Sequence, residues 1–534
     1  MKRIEFNQES RNGLMNGINI LADAVGSTLG AKGRNVIFNV GKNHVVTKDG
    51  VTVAGQVHSE DAVEQAGIDI VRDAAKRTAM EAGDGTTTST VIAREIIKQA
   101  MELVEAGANP KDMKRGMDIA EKDILEEVDV MRRIISNRDE TRQIATVSAN
   151  NDAVIGEMIT NLFDKVGKSG AIRIEETQAN ETKVDMIDGC QINSMMLSPG
   201  FVTNNNKRTA EYADALVFIT DKVFDGPFTD LVPALQISVN ESNRLQKKRP
   251  LLIICGGMEG EALGSLVMNK NKDGFPVVAV QAPEFGANRD EILEDLAIIT
   301  GATVIRETGE IGLEEITLEH LGSVDRVISD HHTTTLIGRH GTTDAISARV
   351  ESIEAQQVED RDNAQDFRLR KRIASLVAGI GVIYVGGNSE TEMKENFFRI
   401  EDAVHATKSS LDYGYVPGGG VAYLRCKRAA DKDISGDQLD GYVTVMAAME
   451  VPTCEIARNC GISGEDVVSK ILQSPVTNMD ISYGYNALTD EFHSLYKAGI
   501  IDPAAVVKSA VKNSVSVAGM IITTNCVIVD ERKK

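Results

Sequence analysis

The sequence predicts a multidomain α+β protein, helical towards both ends of the chain and α/β in the middle. Three observations carry that prediction. At 534 residues the chain exceeds what one hydrophobic core serves, so two to four domains are expected. Apolar residues recur at helical spacing from residue 10 to about 130 and again beyond 391, whereas from about residue 188 short apolar runs alternate with helical stretches. Aromatic side chains are scarce, with no Trp, 9 Tyr and 13 Phe. The cores must therefore rest on aliphatic residues, Ala and Met, and small residues at helical spacing allow close helix contacts.

The elements follow in order. Leu14, Ile18, Leu21, Ala22 and Val25 line one face of a helix over 10–29. Ala31-Lys32-Gly33-Arg34-Asn35 is a basic turn, either a plain surface loop or a place where backbone N–H groups approach an anion. Val36-Ile37-Phe38 and Val45-Val46 read as short strands joined at Gly41-Lys42-Asn43. Asp49, beside Gly50, suits a structural turn or a carboxylate that polarises water or touches a cation. A helix over 61–81 sets Val63, Ala66, Ile70 and Ala74 on one stripe, and Ile92, Ile96, Ala100 and Leu103 mark the next.

Between these two helices lies Ala82-Gly83-Asp84-Gly85-Thr86-Thr87-Thr88-Ser89-Thr90. Unpaired N–H groups at the second helix's start, with hydroxyls beside them, suit a phosphate, and Asp84 suits a divalent cation bridging phosphate oxygens. Ordinary capping satisfies the same pattern, and the stretch lacks the Gly-Lys-Ser/Thr ending of the standard phosphate loop.

Asn109-Pro110 opens a helix with Met113, Met117, Ala120, Ile124 and Val128 inside, the Met residues as core filler. Thr146–Asn150 reads as a helix approach and Val166–Gly170 as a turn. Strands are expected at 215–219, 251–254, 277–280 and 303–305, with helices near 229–243, 259–270 and 288–300, an alternation that argues a largely parallel sheet. Leu231, Val232 and Leu235, with Leu263, Leu266, Val267 and Met268, give more apolar width than one inward stripe needs. Either both faces are packed, or a grooved surface receives other chains. Residues 352–377 form a helix or helical pair leading into strand Val382–Val385. Helices over 391–412, 438–456, 463–473 and 503–517 follow, with a turn at Pro417-Gly418-Gly419-Gly420, and residues 520–530 read as a strand.

The formal charge of −21, from 79 acidic against 58 basic residues, disfavours nonspecific binding to nucleic acid or anionic membrane. No apolar run approaches the 18 residues of a membrane span, and the N-terminus does not read as a secretory signal. The cysteines at 190, 255, 426, 454, 460 and 526 are scattered, which favours free thiols and a reducing, cytoplasmic setting.

Taken together, Thr28–Asn35, Thr47-Lys48-Asp49-Gly50-Val51, Gly83–Thr88, Ile400-Glu401-Asp402-Ala403, Gly418-Gly419-Gly420, Tyr483–Ala487 and Gly499–Pro503 closely resemble the group I chaperonins, the bacterial GroEL and mitochondrial Hsp60 family. The match runs in order over nearly the whole chain. It implies a mainly α-helical equatorial ATPase domain (1–130 and 413–534), a small α/β intermediate hinge domain (131–187 and 380–412) and an α/β apical domain (188–379). It also implies a heptameric homo-oligomeric ring, single or double, closed by a GroES/Hsp10-like co-chaperonin lid, with ATP and Mg²⁺ as cofactors and K⁺ as a further ion.

Carried across by position, the resemblance assigns Thr28, Leu29, Gly30, Ala31 and Lys48 to the nucleotide, with Lys32 beside them in the same loop. Asp84 is the Mg²⁺ ligand, and Gly85, Thr86, Thr87 and Thr88 cradle the phosphates. Gly419, Asn486, Ala487 and Asp502 lie about the base and ribose. Asp49 and Asp402 act together on the attacking water. Gly189 and Gly379 resemble the upper hinge. Met196, Phe201, Val232, Leu235, Leu263, Val267 and Met268 fall on positions that bind nonnative polypeptide. The chain departs from the family at Met196 and Gly200, which replace aromatic residues, and at Ser194, which replaces an arginine that pairs with a glutamate, here Glu390. It also ends without Gly-Gly-Met repeats. These departures mark a divergent member, of the kind a virus or a specialised paralogue encodes, for which host cytoplasm is the setting if viral.

The function implied is an ATP-driven folding chamber that captures nonnative polypeptide on apolar apical helices. Two other classes fit the residues less fully: a lid-independent holdase or scaffold with ATPase activity, and a small-molecule ATPase or kinase. Keeping Asp49, Asp84 and Asp402 together argues against an inert scaffold.

Overall fold

The computed structural model describes residues 2–40, 43–149, 152–167, 170–205, 207–359, 363–377, 379–426 and 434–530. The expected turns at Gly41-Lys42 and Lys168-Ser169, together with Asn150, Ala378 and the end at Lys534, lie outside the described residues. The chain forms two compact units: Met1–Asn161 with Glu176–Thr182 and Val385–Lys534, and Leu162–Glu175 with Lys183–Tyr384.

The first unit is a helical body. Helices Asn7–Gly26, Ala62–Ala82, Thr86–Glu105, Pro110–Met131, Asp437–Ala448 and Ala504–Ile522 share one core. Asn109 starts the helix Pro110–Met131, its side chain accepting from Lys111 N at 3.0 Å with Pro110 in the first turn, where a missing N–H costs nothing. Met113, Met117, Ala120, Ile124 and Val128 of that helix are all fully buried.

On the Ala62–Ala82 helix the expected stripe is out of phase. Ile70 is exposed, and the buried face is Val63, Gly67, Ile68, Val71, Ala75 and Thr78. Gly67 carries the close contact, because a Cβ there would lie 2.3 Å from the Leu14 carbonyl oxygen.

Three further boundaries differ from expectation. Thr146–Ser148 end a helix, Arg138–Ser148, that Asn137 caps by accepting from Glu140 N at 2.9 Å. The predicted helix over 438–456 is two helices broken at Met449–Glu450, with Pro452 in the first turn of the second. Residues 520–522 extend the last helix, since Ile521 and Ile522 continue its buried face, and pairing starts only at Cys526. Cys526–Asp530 runs antiparallel to Lys2–Phe6 and joins the two ends of the described chain.

Contrary to the expectation that no run approaches that length, the helix Ala504–Ile522 is long and apolar enough to cross a membrane. Its most apolar stretch is 67% buried in the helical core, the mark of a central helix. It is the one such helix among the described residues.

The second unit is built on a seven-stranded sheet. The order runs Val277–Gln281, Leu251–Cys255, Ala210–Thr220, Gly322–Ser329, Thr334–Ile337 and Gly189–Ile192, with Val304–Ile305 also on Ala210–Thr220. The expected largely parallel sheet is in fact mixed. Its first three strands and Val304–Ile305 are parallel, because helices Val232–Leu245, Gly260–Asp273 and Ala287–Thr300 supply the crossovers. The remaining three strands are antiparallel. One cause is a tight turn, where Asp330 accepts from the N–H groups of His332 and Thr333 at 2.7 Å and reverses the chain. Of the helix or helical pair expected over 352–377, the structure has two helices, Thr343–Glu359 and Asn363–Val377, the first beginning ahead of the expected range.

Candidate functional site

The site starts from a turn that only glycine serves. Gly83 ends the Ala62–Ala82 helix in the left-handed conformation, φ +83°, donating to Ala79 O at 2.8 Å. Gly85, φ +98°, then precedes the next helix without any side-chain cap. A Cβ at these two positions would lie 2.7 Å from His405 Cβ and 2.9 Å from Val506 Cγ1. The first N–H groups of Thr86–Glu105 are thus left without an intrahelical acceptor.

Those groups open on a cavity of about 500 Å³. Asp84, Gly85, Thr86, Thr87 and Thr88 form part of its wall, and Thr28, Leu29, Gly30, Ala31 and Lys48 another part. Gly419, Asn486, Ala487 and Asp502 line it as well, as do Asp49 and Asp402. Apart from Lys32, the residues predicted to touch nucleotide or water all line one cavity of the helical unit. Lys32, expected in the loop against the nucleotide, does not line it; its ammonium turns to Asp490 at 2.9 Å. Sequence reasoning missed Glu395, Phe398, Arg399 and Tyr423. A signal existed for three of them, since they sit on the same helix as Asp402, seven, four and three residues before it.

The charges are arranged by different elements. Asp49 caps the short helix Gly50–Gln56, accepting from Val51 N at 3.2 Å and Thr52 N at 2.7 Å, which fixes its carboxylate. Asp84 accepts from Gly85 N. Crowding by protein raises the pKa of Asp84, and the charge of Asp49 raises it further. Asp402 is pushed well up by crowding, then by Asp84, Asp49 and Glu401. Crowding and Asp84 take Asp502 to about 7, and crowding and Asp49 take Glu401 to about 6. None of the four is cut off from solvent, Asp84 being exposed and Glu401, Asp402 and Asp502 half-buried. Lys48 is lowered by crowding and by the nearby Arg399.

Carboxylates held together at mutual cost call for a cation. Among the described residues no three His, Cys, Asp or Glu side chains are gathered closely enough to hold a metal unaided. A single carboxylate such as Asp84 fits Mg²⁺, whose remaining ligands are characteristically phosphate oxygens and water. An anion fits as well. Thr86 Oγ1 is buried without a hydrogen-bond partner, and a Cβ on Gly50 would lie 2.1 Å from Thr87 Oγ1 and fill the cradle. The residues present therefore suit a phosphate with its cation.

The expected polypeptide-binding surface needs correction. Phe201 is 0% exposed and Met196 4%, both inside the core of the α/β unit, and Leu235 is buried beside them. Phe201 ends the one-turn helix Pro199–Phe201, which folds it inwards, and Met196 is bridged to Val280 of the sheet. What remains at the surface is Val232 (41% exposed) and Met268 (49%), with Leu263 and Val267 partly covered. Ser194 is buried too, its hydroxyl donating to Gln281 O, while Glu390 pairs with Lys394 on its own helix.

Residues 21–532 match the model of the TCP-1/cpn60 chaperonin family. The fold is similar to two crystal forms of the chaperonin gp146 from the bacteriophage EL 2 (Pseudomonas aeruginosa), both in the presence of ATP-BeFx. Form II superposes with a TM-score of 0.78 at 21% identity, and form I with 0.66 at 20%, each covering 99% of both chains. The large helical region, the several sheets and the family match agree with the group I motifs in the sequence: the chain belongs to the TCP-1/cpn60 chaperonin family, as an ATP-hydrolysing chaperonin of the GroEL/Hsp60 kind.

Proposed function

We propose that the chain is a Mg²⁺-dependent ATPase that drives the capture, enclosure and release of nonnative polypeptide. The observation that carries this reading is the meeting of Asp49, Asp84, Asp402 and the uncapped start of Thr86–Glu105 in one cavity. Asp84 would hold Mg²⁺, the N–H groups and hydroxyls of Thr86–Thr88 the phosphates, and Lys48 the terminal phosphate charge. Gly30 and Ala31, with Gly419, Asn486, Ala487 and Asp502, would hold the rest of the nucleotide. Asn486 is itself pinned, accepting from Leu488 N at 3.0 Å and lying 3.1 Å from His493 Nε2, so its backbone is what it offers a ligand. Bound Mg–ATP supplies the reactive phosphoryl group. Asp49, fixed by its two backbone donors, and Asp402, its pKa raised by crowding and by the neighbouring acids, orient and accept from the attacking water.

The three-domain division at 1–130, 131–187, 188–379, 380–412 and 413–534 belongs to this reading, with Gly189 and Gly379 as the hinge. So do a heptameric single or double ring, a GroES/Hsp10-like lid, client binding on Val232, Leu263, Val267 and Met268, and a cytoplasmic location. Similarity to a chaperonin crystallised with ATP-BeFx supports the nucleotide assignment. Purified chain mixed with a chemically denatured enzyme tests it. ATP and Mg²⁺ are expected to raise the refolded yield, with and without a candidate lid. Hydrolysis with no binding of denatured protein would refute the reading, and phosphoryl transfer to a metabolite would replace it with a kinase.

A further inference from the structure

The helix Glu390–Tyr413 turns Glu395, Phe398, Arg399 and Asp402 into the nucleotide cavity. The spacing is that of a single helical stripe. Asp402 already has a role there, and Arg399 lies one turn before it. A guanidinium offers five N–H donors in a plane, the geometry that suits phosphate oxygens. Among the described residues the ion pair of Arg399 is with Glu395, at 2.6 Å. Glu395 is 62% exposed and Arg399 25%, so this is a surface pair that little energy holds together.

Lys48 lines the same cavity and feels the charge of Arg399. Among the described residues, no ion pair joins either cation to Asp49, Asp84 or Asp402. Two neighbouring cations in one cavity repel until an anion comes between them.

We propose that Arg399 is a further catalytic residue, reaching the terminal phosphoryl group from the helix that carries Asp402 and exchanging Glu395 for a phosphate oxygen. In the step it serves, the water oxygen forms a bond to phosphorus and the bond to the bridging oxygen breaks, leaving its electron pair on ADP. The water proton passes to Asp49 or Asp402 and then to solvent. Arg399 neutralises the charge that gathers on the phosphoryl and bridging oxygens as that bond breaks. Because Arg399 and Asp402 share one rigid stripe, any displacement of the helix withdraws both groups at once.

This role rests on the ATPase reading above, and the two fail separately. Calorimetry in Mg²⁺ compares ADP alone with ADP plus aluminium fluoride, a mimic of the transferring group, on the full-length wild-type, R399A and R399K chains. Single-turnover hydrolysis accompanies it. R399A is expected to lose about 10²-fold of its affinity for ADP–aluminium fluoride and less than about threefold for ADP, with hydrolysis slower by about 10²–10³-fold. R399K, which keeps the charge and the fold but not the planar fork, recovers only part of both losses and decides the matter if the alanine chain fails to fold. Wild-type affinity for ADP–aluminium fluoride in either variant overturns the role of Arg399. A wild-type chain that binds no nucleotide overturns the cavity's assignment and the arginine with it.

Discussion

The two units treat acidic side chains in opposite ways. In the α/β unit Asp295 is 5% exposed and sits between two guanidiniums, Arg349 and Arg372, each with a nitrogen 2.7 Å from it. Glu241, also buried, is paired with Arg244 and Arg249. In the helical unit Asp49, Asp84, Asp402 and Asp502 line one cavity, and among the described residues no arginine or lysine forms an ion pair with them. A buried acid matched by arginine is part of the framework. Acids that raise one another's pKa and lack a counter-ion are held for a ligand that brings positive charge, at a cost to the empty protein.

That contrast breaks most visibly at Asp295. Asp295→Asn leaves the half-buried Arg349 and the buried Arg372 without their shared partner, and chemical denaturation is expected to show a loss of about 3–5 kcal/mol. Nucleotide affinity should stay unchanged. Asp402→Ala is expected to do the reverse, slowing single-turnover hydrolysis by about 10²-fold while ATP affinity holds and the empty chain melts no lower than wild type.

A pH titration sharpens the comparison. The folded pKa of Asp502 is raised to about 7, so between its unfolded value near 3.8 and 7 the folded state binds the extra proton. Its contribution to stability therefore falls as pH rises through that window. Thermal melts of the nucleotide-free chain should show this slope, and Asp502→Asn should flatten it. The smallest effect is expected at the surface. Val232→Ser with Met268→Ser should weaken capture of a denatured client several-fold in a binding assay, without touching ATP hydrolysis.

Much of this was legible where local chemistry repeats along the chain. The Pro110–Met131 helix announces itself through Asn109, Pro110 and an unbroken apolar stripe. The family motifs pick out cavity residues because a phosphate needs glycine and hydroxyls in sequence. The Ala62–Ala82 stripe was misread because Gly67 and Thr78, neither strongly apolar, hold two of its buried positions. Strand direction in the mixed sheet depends on how the connections run, which local periodicity does not encode. Phe201 and Met196 look like surface anchors by position, but a single turn at Pro199–Phe201 and a bridge to Val280 fold them inwards. Pairing of Ile4 with Ile528 is beyond any local signal. Arg399 was missed because an arginine on a charged helix looks like a solvated one until the cavity is seen.

The central claim is that the carboxylate cluster is destabilising when empty and is held for Mg²⁺–nucleotide. Thermal melts of wild type and Asp84→Asn, each with and without Mg²⁺ and a non-hydrolysable ATP analogue, test it most directly. Asp84→Asn is expected to melt higher than wild type without ligand and to gain little on adding Mg²⁺–nucleotide, whereas wild type gains strongly. An Asp84→Asn chain that melts lower when empty, or that gains as much as wild type from Mg²⁺–nucleotide, would contradict it.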